Sequence, residues 1–140
     1  MEIRFKKIHP EAKINVPYHE GDVGYDVYAI ESKIIWFGFP ALVGIGMAIE
    51  MPKDIYCTVE TRGGHGVKGN LRLHRGIIDN GYRGELAVKV YNHGILPYHV
   101  KKGEKIAQLV FHKICTFPLR KAGKLSTTKR GINGFHSTGK

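Results

Sequence analysis

Apolar and polar residues alternate along this chain over short spans and never settle into a sustained helical period. Ile55, Cys57 and Val59 alternate with Tyr56, Thr58 and Glu60, and Leu86, Val88 and Val90 with Glu85, Ala87 and Lys89. Ile106, Gln108 and Val110 likewise stand against Ala107 and Leu109. A period of two puts successive side chains on opposite faces of a strand, so each run reads as half-buried β structure. Turn-forming segments separate the runs: Glu20-Gly21-Asp22, Met51-Pro52-Lys53-Asp54, Asp79-Asn80-Gly81, Asn92-His93-Gly94 and Lys102-Gly103-Glu104. Asn80-Gly81 is a strong two-residue hairpin signal. This rhythm predicts an all-β, antiparallel fold of the sandwich or jelly-roll kind.

The 140 residues suffice for one domain with one sizeable core. No internal repeat or Pro/Ser-rich linker divides them. Beyond Pro118 the chain becomes basic, polar and glycine-rich, which predicts a folded domain over 1–118 and a flexible arm over 119–140. The uncharged run Ile34 to Ile49 is shorter than the roughly 20 residues a helix needs to cross a bilayer. Pro40 and three glycines interrupt it, and no charged-then-apolar leader opens the chain. A soluble, cytoplasmic protein without a membrane partner is expected. The two cysteines, Cys57 and Cys115, lie far apart in apolar runs and are expected as reduced core thiols. The eight histidines show no zinc-like spacing.

Charge narrows the partners. The formal net charge is +10, and no acidic residue follows Glu104. A tail of that kind suits a polyanion, whether nucleic acid, a membrane surface or a small phosphorylated ligand. Nucleic acid ranks below the others, because aromatic and basic residues do not interleave as in single-strand binders.

Taken singly, the candidate motifs admit plain structural readings. Asp26, in Val23-Gly24-Tyr25-Asp26-Val27, reads better by itself as a turn aspartate. Thr61-Arg62-Gly63-Gly64-His65-Gly66 is a glycine-rich loop whose backbone N–H groups and arginine suit an anion, yet such loops are commoner without a ligand. Asp79 and Tyr82 flank a tight bend, where a carboxylate can take a proton from water and a ring can pack on a sugar. Arg130-Gly131-Ile132-Asn133-Gly134-Phe135-His136-Ser137-Thr138-Gly139-Lys140 gathers cations, hydroxyls and an aromatic at the chain end. No helix can follow it, so a P-loop is excluded. A phosphate-gripping flap that stacks an aromatic on a base fits better.

The order of these segments resembles the trimeric dUTPase family along almost the whole chain. Five motifs appear in family order: Val23 to Val27, Arg62-Gly63-Gly64, Gly76 to Gly84, Lys102 to Leu109, and Arg130 to Gly139. The resemblance implies a jelly-roll homotrimer that hydrolyses dUTP to dUMP and pyrophosphate with Mg2+, each site built from all three subunits. It assigns Asp79 to activating the water that attacks the α-phosphorus, and Tyr82 to lying under the deoxyribose. Backbone from Gly76 through Ile78 and onward reads uracil. Arg62, Gly63, Gly64 and Gln108 bind phosphates. Arg130 clamps the γ-phosphate, Phe135 stacks on the base, and His136, Ser137 and Thr138 complete the flap. Asp26 touches the magnesium site through water.

Two positions depart from the family pattern. Gly63 stands where the family carries a phosphate-binding serine, and His136 where it carries glycine. Losing one transition-state donor costs on the order of 2.7–4 kcal/mol, so a competent but slow enzyme is expected. The alternatives are a dUTP-binding regulatory protein with weak turnover and, further off, dCTP deaminase of the same fold. The deaminase needs a glutamate on the strand after the bend, where this chain has Lys89.

Overall fold

The computed structural model describes residues 2–68 and 70–134. Its elements are twelve short strands and one helical turn. The largest sheet has five strands in the order β2 (Ile14–Asn15), β3 (Gly24–Tyr28), β12 (Lys105–Lys113), β7 (Ile55–Glu60) and β9 (Ile77–Ile78). A second sheet runs β5 (Ala41–Gly44), β10 (Ala87–Asn92), β8 (Leu71–Leu73). Two ribbons complete the fold: β1 (Arg4–Lys7) with β6 (Met47–Glu50), and β11 (Tyr98–Val100) with β4 (Lys33–Ile35). All strand pairings are antiparallel, as the alternation required.

Between the sheets lies a core that includes Ile35, Val43, Ile45, Leu71, Val90 and Leu109, each under 2% exposed. Burying one such side chain contributes about 1.5–3 kcal/mol. Asn92 is buried too, and its amide is satisfied: Nδ2 donates to Ile35 O at 2.9 Å and Leu96 O at 2.7 Å, while Oδ1 accepts from Gly94 N at 2.8 Å. The side chain thereby shapes the loop between β10 and β11. The uncharged run Ile34 to Ile49 is divided among β4, β5 and β6. Among the described residues, no helix is long and apolar enough to cross a membrane.

Four sequence expectations need correction. β9 and β10 do not form a hairpin: β9 pairs with β7, and β10 with β5 and β8. Asp79 to Tyr82 is still a turn, closed by Tyr82 N to Asp79 O at 3.0 Å, but neither Asn80 nor Gly81 has positive φ. A primed hairpin turn is thus ruled out. Asn80 instead donates its side-chain amide to the carbonyls of Met51, Pro52 and Ile55, tying the bend to the neighbouring turn.

Second, the alternation on β12 is broken. Lys105 pairs with Tyr28, but Ala107, not Ile106, pairs with Val27, so Ile106 is an inserted residue. This β-bulge lets Ile106 and Ala107 both face the core and turns Gln108 outward. Third, the glycine-rich segment is helical: α1 spans Gly63–Lys68. Glycine inside a helix costs about 1 kcal/mol relative to alanine, so tertiary contacts impose this turn. Finally, Cys57 is a core thiol, pushed up to about 12 chiefly by burial, but Cys115 is exposed. The sheet has ended at Lys113, and residues 113–133 are exposed.

Candidate active site

Strand register assembles the first cluster. Gln108 on β12 stands opposite Asp26 on β3 and opposite Glu60 on β7. Two residues beyond Glu60 the chain reaches Arg62, then Gly63 and Gly64 at the start of α1. Asp26, Arg62, Gly63, Gly64 and Gln108 line a cleft of about 510 Å³. Within it, Asp26 is held by two cations: Oδ1 accepts from Arg62 Nε at 2.7 Å, and Oδ2 lies 2.8 Å from Lys105 Nζ. The carboxylate, through its hydrogen bond and its charge, holds the Lys105 ammonium above its ordinary pKa. Asp22 lines the same cleft, so its two cations are matched by two carboxylates, and Arg62 and Lys105 present their donors side by side around Asp26. The first N–H groups of any helix also lack intrahelical acceptors. The wall therefore offers donors to an anion.

Gln108 reaches this wall because residue 24 has no side chain. A Cβ on Gly24 would lie 2.1 Å from Gln108 Oε1 and 2.9 Å from Cδ. Gln108 also donates to Thr61 O at 3.3 Å. Gly24→Ala is expected to swing the flexible Gln108 amide aside without unfolding the strand. Loss of one hydrogen bond to a charged ligand should then raise KM for a phosphorylated substrate about tenfold. Steady-state kinetics beside an unchanged Tm would show it.

The bend after β9 forms a second cleft, of about 370 Å³, lined by Gly76, Ile77, Ile78, Asp79 and Tyr82 among others. Asp79 is exposed, and none of the hydrogen bonds among the described residues engages its carboxylate. Tyr82 donates from its hydroxyl to Glu85 O at 3.2 Å. Its ring lies against Gly84, where a Cβ would meet Oη at 2.3 Å and Cζ at 2.5 Å. Strand β9 is an edge strand, so one side of its backbone is unpaired.

The two clefts share no lining residue. Ile78 pairs with Cys57, which sets Asp79 level with Tyr56, and four residues of β7 run from there to Glu60. That stretch alone spans ~13 Å at the usual strand rise. One chain thus brings Asp26, Arg62, Gly63, Gly64 and Gln108 together, and separately Gly76, Ile78, Asp79 and Tyr82. Arg130 belongs to neither cleft; its Nε donates to Asn133 O at 2.9 Å in an exposed turn. Phe135, His136, Ser137 and Thr138 lie outside the described residues.

Three groups near the phosphate-type cleft were missed by sequence reasoning. Lys105 stands within the Lys102 to Leu109 segment but was given no role of its own, although its place three residues before Gln108 was a usable signal. His65 and Glu104 are 39 residues apart and meet at 2.9 Å, Nε2 to Oε1. Nothing local foretells that contact. Burial alone would raise the Glu104 pKa, but hydrogen bonds from Tyr98, the Lys101 amide and His65 outweigh it and hold the carboxyl below its usual range.

Magnesium can be tested against these donors. Among the described residues no group of three His, Cys, Asp or Glu side chains could hold a metal ion. Both oxygens of Asp26 already face cations. The donor set fits a magnesium ion carried on phosphate oxygens and water, with Asp26 reaching it through a water, and not a protein-built cage.

Comparison with known proteins bears on the same residues. The dUTPase family model matches residues 10–139. The deoxyuridine 5'-triphosphate nucleotidohydrolase of Clostridium acetobutylicum is 36% identical over 141 residues, covering 99% of this chain and 97% of the relative. Its counterpart in Picosynechococcus is 38% identical over 141 residues, covering 99% of both. Among solved structures, a dUTPase variant of Staphylococcus bacteriophage 80alpha with dUpNHpp superposes with a TM-score of 0.92 at 25% identity, covering 99% of this chain and 98% of that one. A phage phi11 dUTPase variant described with a structural Mg(II) ion matches in fold, with a TM-score of 0.83 at 22% identity. With the jelly-roll sheets, a cleft walled by Arg62 and Gln108, and a family match spanning nearly every residue, this chain belongs to the dUTPase family.

Proposed function

We propose that this protein hydrolyses dUTP to dUMP and pyrophosphate, with Asp79 activating the attacking water. The observation that carries the proposal is the pairing of an exposed, unengaged carboxylate beside Tyr82 with a separate cleft lined by Arg62, Lys105, Gln108 and the Gly63 and Gly64 backbone. Asp79 accepts a proton from water, and the hydroxide attacks the α-phosphorus. The bond to the bridging oxygen breaks, and pyrophosphate leaves. Arg62, the Gly63 and Gly64 backbone and Gln108 meet the charge on the phosphates, where positioning and electrostatics supply most of the rate. Magnesium, held by the triphosphate and through water by Asp26, neutralises phosphate charge.

The open edge of β9 supports base selection by backbone. Gly76 O is taken by Val59 N at 3.0 Å, so the backbone groups on the outer side of β9, around Ile77, would be the ones to meet uracil's acceptor–donor edge and mismatch cytosine. Tyr82, with its ring held against Gly84, would leave no room for a ribose 2′-hydroxyl. The functional unit would be a homotrimer whose sites are shared between subunits, as the family resemblance implies, and two clefts without a common lining residue are compatible with that sharing. The arm over 119–140 would then close each site, Arg130 on the γ-phosphate and Phe135 on the base, with His136, Ser137 and Thr138 beside them. Such an enzyme would act on a soluble nucleotide in the cytoplasm.

Lys89, where a deaminase needs its glutamate, is exposed on β10 with Nζ 5.7 Å from the Tyr91 ring centroid. Pyrophosphate release should be measured with dUTP, dCTP, dTTP and UTP, with and without magnesium. Release selective for dUTP and dependent on magnesium is expected. Ammonia from dCTP, or tight dUTP binding with negligible release, would overturn the proposal in favour of a deaminase or a regulatory binder respectively.

A further inference from the structure

Helix α1, which packs beside β8, has few described side chains with which to anchor itself. Gly63, Gly64 and Gly66 carry no side chain, so among the described side chains of this helix only His65 can tie it to the body. His65 is 13% exposed, and its Nε2 lies 2.9 Å from Glu104 Oε1. Glu104 is itself fixed from two further directions. Tyr98 donates its hydroxyl to the same oxygen at 2.6 Å, and Lys101 N donates to Oε2 at 2.9 Å. The Tyr98 and His65 rings also meet edge to face, with centroids 6.2 Å apart. An ionised carboxylate only accepts, so Nε2 of His65 carries the proton. The other ring nitrogen, Nδ1, is buried and has no hydrogen-bond partner. A buried polar atom left unmatched is tolerated where the rest of the side chain has a task.

We infer that His65 is a positioning residue: through Glu104 and Tyr98 it clamps α1 to the turn between β11 and β12 and keeps Gly63 and Gly64 on the wall of the anion cleft. The inference rests on the proposed dUTP hydrolysis for its catalytic meaning, but the clamp itself can be read without substrate. The absence of a hydroxyl at position 63 makes the placement of these backbone groups matter more, since they are what this segment offers the phosphates besides Arg62.

Hydrogen–deuterium exchange of the unliganded protein and steady-state kinetics test it together. In His65→Ala, exchange over residues 62–68 should quicken about tenfold while β3, β7 and β12 stay protected. In the same variant kcat for dUTP should fall about tenfold, with KM changing much less, because loosened donors fail chiefly at the transition state. His65→Gln keeps a donor for Glu104 and should bring both readouts back to within about threefold of the native protein. Unchanged exchange over 62–68, exchange that quickens evenly through the strands, or a Gln variant no better than Ala would each overturn the clamp. A native protein that releases no pyrophosphate from dUTP sinks the functional proposal instead, and leaves the clamp to be decided by exchange alone.

Discussion

Asp79→Asn is expected to remove turnover of dUTP, lowering kcat by about 10³ to 10⁴, the upper range for loss of a general base. Asparagine has the shape of aspartate but cannot take a proton at neutral pH. The side chain is exposed, and no hydrogen bond among the described residues depends on its carboxylate, so folding should be untouched. Binding of a non-hydrolysable dUTP analogue should remain within about threefold of the native protein, because the proposed phosphate contacts come from the other cleft. Calorimetric titration and pyrophosphate release, measured on one preparation, separate the two effects. A variant that keeps kcat within about tenfold would remove Asp79 from the chemistry.

The second large effect is a gain. Gly63→Ser is expected to raise kcat about 10²-fold, the lower end of what one transition-state donor supplies. The backbone permits it: a Cβ at Gly63 meets nothing within 4 Å, and Gly63 is absent from the positive-φ residues. Serine is also a better helix residue than glycine, so α1 should be steadier. The hydroxyl would stand on the wall that already carries Arg62, Gly64 and Gln108. Single-turnover rates at saturating dUTP and magnesium read the change directly. If kcat stays where it was, the backbone groups of this segment already suffice and the departure from the family pattern carries no kinetic meaning.

The residues of the site were legible in the sequence to the extent that local order encodes them. Arg62, Asp79, Tyr82 and Gln108 stand in a fixed sequence of short segments, while the structure sorts these residues into two clefts, a division the segments do not foretell. Asn80-Gly81 misled, because its propensity for a hairpin is local while its actual partners, the carbonyls of Met51, Pro52 and Ile55, lie well upstream. The helical turn at Gly63–Lys68 was illegible for the converse reason: glycine disfavours helix, and the contact that steadies it comes from Glu104.

By itself the sequence determined the all-β class, the antiparallel pairing and the family, because alternation, turn residues and motif order are properties of neighbouring positions. Tertiary structure alone decided that Ile106 is an inserted residue, that Asp26 is shared by Arg62 and Lys105, and that the two clefts lie apart. Those outcomes depend on which strand lies beside which and on one residue of register. Period-two patterning is blind to both, since every pairing that buries the same face satisfies it equally well.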